Sequence, residues 1–438
     1  MDVIVRFIIT LAVLFVLTRW LTRKFDPAFG DRPLIVALGL HVAMALLYGY
    51  IFWHFYGGDD TWMLNQESIE ARDLIIHQPG IFWRELNPFW MVGEYGRARG
   101  LTLFRQQVEE SLITLPLALF NGFSRGHYYT NVLAFVGMSF WGSFWFFQLL
   151  RRLWPSGTGW SFWVVFGYLP TVFWLSGLRK DPLIFMAFAL CLWQAWKWWR
   201  LRRAAAGGWM LVALGFLFFL RPLMAVVLAP ALVALAWLRW RVAGRQTIAA
   251  GRSPSPARVL LVVYGLSLLA FLATAALPGK ANLLEAVVSR QQEYRALDGK
   301  TRIALDTLEA TPASFLRGFP QALSNVWLHP SPSEVRGALP ALMLAQNIFI
   351  ICMVALALWR WKRLRAVLTA GPFPRIFCWF ALFVCLSIGY TVPFPGAIIR
   401  YRVIPELCLL VLAGWAGMAG LSSHYNFFNV YKNDEEIA

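Results

Sequence analysis

Long apolar runs constrain this sequence more than any other feature. The first two cover residues 3–21 and 34–56, and similar runs recur to the end of the chain. Most are about 17–25 residues long, the length at which an α-helix crosses a hydrocarbon core of about 30 Å. A transmembrane barrel would show alternating segments of about 10 residues instead. The runs predict an all-α polytopic membrane protein that forms one integral membrane domain over residues 1–438.

Composition agrees with that class. The chain is 59% hydrophobic and 14% charged, whereas a soluble protein carries about 25% charged residues. Its net charge of +17 arises in short loops between apolar runs, notably after Leu150, Trp199, Leu238 and Trp359. The positive-inside rule puts such loops in the cytoplasm, so we expect the N-terminus outside and the C-terminus inside. Clustering of this kind argues against nucleic-acid binding, the other explanation for a basic chain.

Loop charges and run lengths together predict about eleven spans. They are residues 3–21, 34–56, 130–150, 160–178, 183–199, 209–220, 222–238, 259–277, 341–359, 376–392 and 403–421. Two long external segments, 57–129 and 278–340, are expected to contain helices, some of them in the membrane interface. The expected helices are residues 60–76, 81–92, 111–123, 283–297 and 301–308, with 111–123 re-entrant or interfacial. The polar tail, 422–438, is expected to be disordered.

One stretch, residues 209–238, allows two interpretations. It is either a single span with Arg221 at its centre or two half-depth helices that meet at Arg221-Pro222. A single span would put the following arginine-rich loop outside, against the charge rule. Proline also ends a helix locally, and broken helices are tolerated beside a polar cavity. The hairpin is therefore favoured.

Two adjacent carboxylates, Asp59 and Asp60, end the second span. Ionisable residues at the edge of a bilayer are functional candidates by default. Cations that the orientation rule does not explain fall on the same external face, namely Arg179, Lys180, Arg221, Arg400 and Arg402. Arginine binds phosphate oxygens through a bidentate fork and lysine adds a point charge. The pattern suits a lipid phosphate, with a carboxylate as general base on a sugar hydroxyl.

Each of these features also has a structural explanation. Asp59-Asp60 can serve as a helix stop and N-cap, and residues 179–181 can be a solvated turn with a local ion pair. Arg221 can snorkel to the headgroups, and residues 400–402 can anchor the chain at the interface. The prediction of a site depends on their occurring together on one face. Asp181, Tyr401 and His329 are further candidates.

Two segments carry a family resemblance. Gly396-Ala-Ile-Ile-Arg-Tyr-Arg-Val-Ile-Pro405 resembles the arginine-tyrosine segment before the last helix in bacterial members of the GT-C superfamily, which are polyprenyl-phosphate-sugar-dependent glycosyltransferases. Tyr168-Leu-Pro-Thr-Val-Phe-Trp-Leu-Ser-Gly-Leu-Arg-Lys-Asp-Pro182 is similar to a mid-chain segment of the same proteins. An acidic residue past an outward-going helix, before a long external loop, fits the same architecture. Here that acid follows the second helix, so the run 3–21 would be an added helix.

The resemblance implies a base or metal-binding role for Asp59 or Asp60 and lipid-phosphate contacts for Arg400 and Arg402. It implies a GT-C-like enzyme of the bacterial inner membrane that uses a lipid-linked sugar donor at the outer face, in envelope glycan or polysaccharide assembly. The acceptor would be a glycan, a lipid or a protein. Mg²⁺ or Mn²⁺ would be the cofactor, although the second external acidic motif of metal-dependent members is missing.

Three alternatives stay open at this point. A polysaccharide polymerase or ligase acting on lipid-pyrophosphate-linked repeats also gathers external arginines and can work without a carboxylate base. A transporter of lipid-linked solutes would place its polar groups at the midplane and show inverted repeats, which the sequence lacks. A non-catalytic partner in an envelope complex is the third.

Overall fold

A computed structural model describes residues 2–243, 255–299 and 301–418. Over these residues the chain is helical, and no strand occurs among them. The expected all-α architecture of a polytopic membrane protein is confirmed for this part of the chain. The expected disordered tail, residues 422–438, lies outside the described residues.

The helices follow the chain in short succession. The first group is α1 (Val3–Phe25), α2 (Asp31–Tyr56), α3 (Asp59–His77), α4 (Pro79–Glu85), α5 (Pro88–Tyr95), α6 (Arg97–Ser124) and α7 (Tyr128–Leu153). The second is α8 (Thr158–Phe162), α9 (Leu169–Trp174), α10 (Lys180–Arg200), α11 (Ala204–Leu220), α12 (Pro222–Ala243) and α13 (Pro256–Ala273). The last is α14 (Leu283–Ala296), α15 (Pro312–Trp327), α16 (Ala338–Trp359), α17 (Trp361–Thr369), α18 (Pro372–Thr391), α19 (Pro395–Tyr401) and α20 (Val403–Met418).

Seven helices of the described chain are long and apolar enough to cross a membrane. They are Val3–Phe25, Asp31–Tyr56, Tyr128–Leu153, Pro222–Arg241, Pro256–Ala276, Ala338–Trp359 and Pro372–Thr391. α11 and α20 are apolar but shorter. The expected number of eleven spans is therefore not confirmed.

The expected span 160–178 is broken into short pieces. It contains α8, a π-helical turn at Trp163–Gly167 and α9. Pro170 lies in the first turn of α9. Proline starts a helix readily but weakens a helix that would continue through it, because it lacks an N–H group and its ring meets the preceding turn. A continuous apolar run is thus insufficient to make one straight helix here.

The interruption expected at Arg221 is present. α11 ends at Leu220, Arg221 has φ −153° and ψ 84°, and α12 begins at Pro222. α12 has 22 residues, so it is not the half-depth helix that we expected. Length and hydropathy make its Pro222–Arg241 portion a candidate span in its own right.

The two segments expected to be external, 57–129 and 278–340, contain more helix than expected in one place and less in another. Residues 111–123 are the second half of the 28-residue helix α6, which continues through Pro116, and residues 81–92 divide between α4 and α5. The helix expected over 283–297 is α14, but the one expected over 301–308 is wrong, because residues 301–308 are not helical. The Ile303 N–H donates to the Pro393 carbonyl at 2.8 Å, so a tertiary hydrogen bond replaces the helical ladder.

The internal contacts divide the chain into two units. Unit 1 comprises Met1–Leu149 and Val165–Pro222, and unit 2 comprises Leu150–Val164 and Leu223–Ala438. The single membrane domain expected over residues 1–438 stays a prediction.

Unit 1 is built on a core of aromatic rings. α10 packs along α11, α3 packs along α6, and α2 packs against α9. Phe140, Phe144, Phe146, Phe185 and Phe188 are fully buried between them. Aromatic side chains bury about 150–250 Å² each and dominate the energetics of such cores. These rings therefore fix the helices that carry the polar residues of unit 1.

Unit 2 is organised around α18, which contacts α13, α14, α15 and α20. Gly389 allows α15 to cross α18 closely, because a Cβ there would overlap the Ala322 carbonyl. The Asn325 amide donates to the Gly389 carbonyl at 3.0 Å, which fixes that crossing. Leu284, Leu308 and Phe315 form a small buried cluster beside it. α14 and α15 are thereby held against the candidate spans of this unit.

Candidate functional site

The turn between α2 and α3 positions Asp59 and Asp60. Gly57, Gly58 and Asp59 all have positive φ angles, of 71°, 107° and 45°. Glycine adopts such angles freely, whereas a residue with a side chain pays on the order of 1 kcal/mol. The Gly-Gly pair therefore makes a sharp reversal, and Asp59 holds a strained conformation at its end.

Asp59 and Asp60 are the first two residues of α3, and Gly58 occupies the N-cap. The N-cap role considered for the acidic pair is therefore wrong. Two negative charges in the first turn are still favourable, by about 0.3–1 kcal/mol each, because they face the positive end of the helix dipole. The turn presents both carboxylates at one end of α3.

A buried arginine engages both carboxylates. Arg179 Nη2 lies 2.8 Å from Asp60 Oδ2 and 3.5 Å from Asp59 Oδ2. The Arg179 side chain is only 2% exposed, whereas Asp59 is 35% and Asp60 is 52% exposed. A cation inside the protein thus compensates two acids that remain open to a ligand.

Two rings of α2 support that arginine. The Arg179 guanidinium lies 5.5 Å from the centroid of the Tyr48 ring and 5.7 Å from that of Phe52. Both rings are buried and they stack on each other at 4.3 Å. Cation–π contacts of this kind are worth about 2 kcal/mol when they are desolvated. They offset part of the cost of burying the guanidinium.

The neighbouring charges are also paired with distant parts of the chain. Lys180 Nζ lies 2.6 Å from Glu109 Oε1, and Arg221 Nη2 lies 3.7 Å from Asp181 Oδ1. Glu109 and Arg221 lie outside the 179–181 segment, so these two ion pairs are not local to it. The ion pairs instead connect α10 to α6 and to the end of α11.

A buried amide network holds α3 in place. Asn131 Nδ2 donates to Asn65 Oδ1 at 2.8 Å and to Asn121 Oδ1 at 2.7 Å. Asn121 Nδ2 donates to Ser68 Oγ at 2.9 Å, and Asn65 Nδ2 donates to the Gly126 carbonyl at 3.0 Å. Buried polar networks specify one arrangement when their groups are satisfied, and among the amide groups of these three asparagines only Asn131 Oδ1 has no hydrogen-bond partner within the described chain. This one locks α3 against α6 and α7.

Further carboxylates surround the acidic pair on α3 and α6. Burial raises the pKa of Glu67, and the nearby charges of Glu110 and Glu70 raise it further, while Lys180 opposes them. Glu67 consequently keeps its proton to a higher pH than an ordinary glutamate. The neighbourhood of Asp60 is therefore strongly acidic.

The expected metal role of Asp59 and Asp60 fits this donor set poorly. One oxygen of each carboxylate already faces the Arg179 guanidinium, which supplies the positive charge that a cation would bring. Mg²⁺ demands near-octahedral oxygen coordination, and no cluster of three or more His, Cys, Asp or Glu side chains occurs in the described part of the chain. The divalent cation stays a prediction, and the mechanism proposed below does not need it.

Arg402 of unit 2 lies in a different environment. Its side chain and that of Glu406 are both fully buried, and Arg402 Nε donates to Glu406 Oε2 at 3.1 Å. The other guanidinium nitrogens donate to the Val326 carbonyl and to Asn347 Oδ1. Gln346 Nε2 donates to both Glu406 oxygens, at 2.8 and 3.0 Å. This is the geometry of a structural ion pair that joins α15, α16 and α20.

The other candidates of unit 2 lie around it. Arg400 and Tyr401 are half-buried, and the Arg400 guanidinium lies 5.6 Å from the Tyr401 ring centroid. His329 Nδ1 is 2.8 Å from Glu334 Oε2, and the His329 carbonyl accepts from Asn347 Nδ2. Burial alone would raise the pKa of Glu334, but the Ser331 N–H and His329 together outweigh it and lower that pKa.

The structure thus brings together Asp59, Asp60 and Arg179 within unit 1. Sequence reasoning missed the partners that hold this part of unit 1. They are chiefly Glu109, which pairs with Lys180, and the amide network around Asn131. One signal was available, since Tyr48 and Phe52 are spaced one helical turn apart just before the Gly-Gly pair. The asparagines are far apart in sequence and gave no such signal.

No protein-family model, no curated protein and no solved structure matches this chain. Function is therefore inferred from the residues and their geometry alone.

Proposed function

We propose that this protein is a membrane glycosyltransferase that uses a polyprenyl-phosphate-linked sugar as donor. The carboxylate pair Asp59-Asp60 carries the proposal, because both acids are open to a ligand while a buried arginine fixes their position. Strained backbone is concentrated at functional sites, and Asp59 holds such a conformation. The proposed setting is the outer face of the bacterial inner membrane, in envelope glycan assembly.

The proposed reaction is a single displacement at the anomeric carbon. Asp59 or Asp60 takes the proton of the acceptor hydroxyl, whose oxygen bonds to the anomeric carbon as the bond to the phosphate oxygen breaks. A carboxylate within hydrogen-bond reach of a hydroxyl contributes about 10²–10⁴-fold in such a step. Arg179 acts as a positioning residue for the two acids.

The lipid-phosphate contacts expected for Arg179, Lys180, Arg221, Arg400 and Arg402 stay predictions. Carboxylates already engage Arg179, Lys180, Arg221 and Arg402. Their charges are therefore largely compensated before any ligand binds. In the proposed enzyme they balance and position the acidic residues.

Asp59→Asn and Asp60→Asn test the catalytic role. We expect at least one of them to lower transfer by about 100-fold or more, measured with purified protein and a panel of radiolabelled polyprenyl-phosphate sugars. Each replacement keeps the size of the side chain, and thermal unfolding checks that the protein still folds. The matched control is Asp73→Asn, because Asp73 is another exposed aspartate of α3 that pairs with an arginine, Arg72.

Full transfer by both Asp59→Asn and Asp60→Asn would contradict the proposal. If such variants instead extend lipid-pyrophosphate-linked repeats, the arginine-driven polymerase or ligase replaces it. An equal loss in Asp73→Asn would show that the effect is not specific to the pair.

A further inference from the structure

An apolar groove of about 470 Å³ lies in unit 2 among α12, α13, α15 and α18. Val226, Leu268, Phe271, Leu316 and Leu382 are among the residues that line it. Large apolar side chains are left open along it, and Leu316 is 75% exposed. α12, α13 and α18 are candidate spans, so the groove suits a hydrocarbon chain at bilayer depth.

A polar pocket of about 310 Å³ adjoins the groove. Asp306, Glu309, Ser314, Arg317 and Gln321 are among its lining residues. Convergent polar groups of this kind fix the orientation of a ligand in a site of this size. The pocket therefore offers two carboxylates, one guanidinium, an amide and a hydroxyl to one headgroup.

The groove and the pocket share a wall. Tyr390 lines both, and the amphipathic helix α15 contributes Phe315 and Leu316 to the groove but Ser314 and Arg317 to the pocket. Tyr390 Oη donates to the Phe315 carbonyl at 2.6 Å, which holds α15 and α18 together at the boundary. The cavity is thus apolar on one side of α15 and polar on the other.

The polar side of the cavity is held open by buried hydrogen bonds. Gln291 is 1% exposed, and its amide nitrogen donates to the carbonyls of Asp306 and Tyr390 at 3.0 and 2.8 Å. Its oxygen accepts from the Leu308 N–H at 3.0 Å, and Gln321 Oε1 accepts from the Asp306 N–H at 3.1 Å. These side chains take the place of a sheet or helix ladder and hold the backbone of residues 306–308 along the pocket.

The charges of the pocket select among headgroups. Asp306 and Glu309 outnumber Arg317, so electrostatic repulsion grows with the negative charge of the headgroup and is larger for a pyrophosphate or a free phosphate than for a phosphodiester. A phosphodiester brings a single negative charge for Arg317, and sugar hydroxyls can donate to the two carboxylates. A headgroup with one phosphate and many hydroxyls matches this set.

We propose that the groove and pocket bind a long-chain lipid phosphodiester of a sugar. The hydrocarbon chain lies in the groove, the phosphate meets Arg317, and the sugar hydroxyls meet Asp306 and Glu309. The proposal rests on the proposed function for its substrate class, and it adds a binding site that lies within unit 2 alone.

A second hollow provides the rival location for the phosphate. It has a volume of about 610 Å³ and is lined by Arg295 and Arg302. It shares no lining residue with the apolar groove. A phosphate bound there would be separated from a chain in the groove, so Arg302 serves as the comparison for Arg317.

Equilibrium binding of a tritiated polyprenyl phosphoryl mannose to the protein in nanodiscs, without acceptor, tests the site. Ser267 lines the groove on α13, and Ser267→Trp should weaken binding about tenfold or more because it fills the groove. Gly265→Trp is the matched control on the same helix, since nothing lies within 4 Å of a Cβ added there. Arg317→Gln should also weaken binding about tenfold, the scale of one charge-assisted hydrogen bond, and Arg302→Gln should leave it within about twofold.

Unchanged binding in Ser267→Trp would contradict the assignment of the hydrocarbon chain to the groove. An equal loss of binding in Gly265→Trp would contradict it as well. Loss in Arg302→Gln but not in Arg317→Gln overturns the headgroup assignment. Tighter binding of polyprenyl pyrophosphate than of the phosphoryl mannose overturns the charge argument. If Ser267→Trp does not fold by size-exclusion chromatography, Leu268→Trp replaces it.

The same assay separates this site from the catalytic proposal. Asp59→Asn and Asp60→Asn should each bind the probe within about twofold of the unmodified protein, including whichever of them loses transfer. Binding that depends on Ser267 and Arg317, combined with full transfer in both aspartate variants, keeps the lipid site and removes the catalytic assignment. If transfer depends on the aspartates but binding does not change when Ser267 or Arg317 is replaced, the catalytic assignment is kept and the lipid site is removed.

Discussion

Unit 1 and unit 2 each contain a buried arginine that meets carboxylates, and the two arrangements differ in one respect. Arg179 is 2% and Arg402 is 0% exposed, and each guanidinium lies over an aromatic ring. Asp59 and Asp60 remain 35% and 52% exposed, whereas Glu406 is fully buried. The exposure of the acid therefore distinguishes a site that can meet a ligand from a structural ion pair.

The positions of the partners along the chain also distinguish the two arginines. Arg402 immediately precedes α20 and Glu406 follows it by four residues, and Gln346 donates to both Glu406 oxygens. Asp60 is 119 residues away from Arg179 and begins a helix after a strained turn. An ion pair one helical turn apart forms with little constraint on the chain, whereas the longer connection requires the rest of unit 1 to be in place.

The largest effect should come from Arg402→Met. The change leaves Glu406 charged and buried without its partner, which costs about 3–5 kcal/mol of unfolding free energy. Thermal unfolding in detergent would measure it. The double variant Arg402→Met/Glu406→Leu should recover most of the loss, since apolar replacement of a buried pair is often neutral. Stability close to that of the unmodified protein in the single variant would show that the pair is not structural.

Arg179→Met should cost far less stability, about 1 kcal/mol, because water can solvate the two exposed carboxylates that it leaves. Sugar transfer should nevertheless fall by about 100-fold, since small displacements of a catalytic group are costly. Arg72→Met, on the same ion-paired surface of α3, is the control and should affect neither. If Arg179→Met destabilises the protein as much as Arg402→Met, the distinction between the two arginines fails.

The smallest effect should come from the ion pair His329–Glu334. It is connected to Arg402 by Asn347, which accepts a hydrogen bond from Arg402 and donates one to the His329 carbonyl. A lowered pKa of Glu334 means that its stabilising contribution is present above the usual glutamate pKa of about 4.3 and is lost as the pH falls through its lower folded value. The free energy of unfolding should therefore decrease less between about pH 6 and pH 3 in Glu334→Gln than in the unmodified protein, by less than about 1 kcal/mol. Thermal unfolding across that range measures it, with Glu293→Gln as the exposed control. If Glu334→Gln instead loses stability more steeply than the unmodified protein as the pH falls, the expected direction of the Glu334 contribution is wrong.

The sequence predicted part of the fold for clear physical reasons. Long apolar runs gave candidate spans such as α2, α7 and α16, and the break at Arg221 followed from the missing N–H of Pro222. The failures have equally clear causes. Residues 301–308 have a helical pattern, but the Pro393 carbonyl and Gln291 take their backbone groups. Run length also predicted one continuous span over residues 160–178, whereas the helix is interrupted there and Pro170 begins a new one.

Composition and spacing by themselves determined that this is a helical membrane protein and that Asp59 and Asp60 follow a candidate span, because both depend on local chemistry. Only the tertiary structure decided which charges are open to a ligand. Arg179, Lys180 and Arg402 are alike in the sequence, yet the carboxylates that meet Arg179 and Lys180 come from distant helices, whereas the one that meets Arg402 lies four residues away. The exposure of each pair depends on packing. The polar pocket beside the apolar groove arises in the same way, since Gln291, Arg317 and Tyr390 meet only when α14, α15 and α18 are assembled.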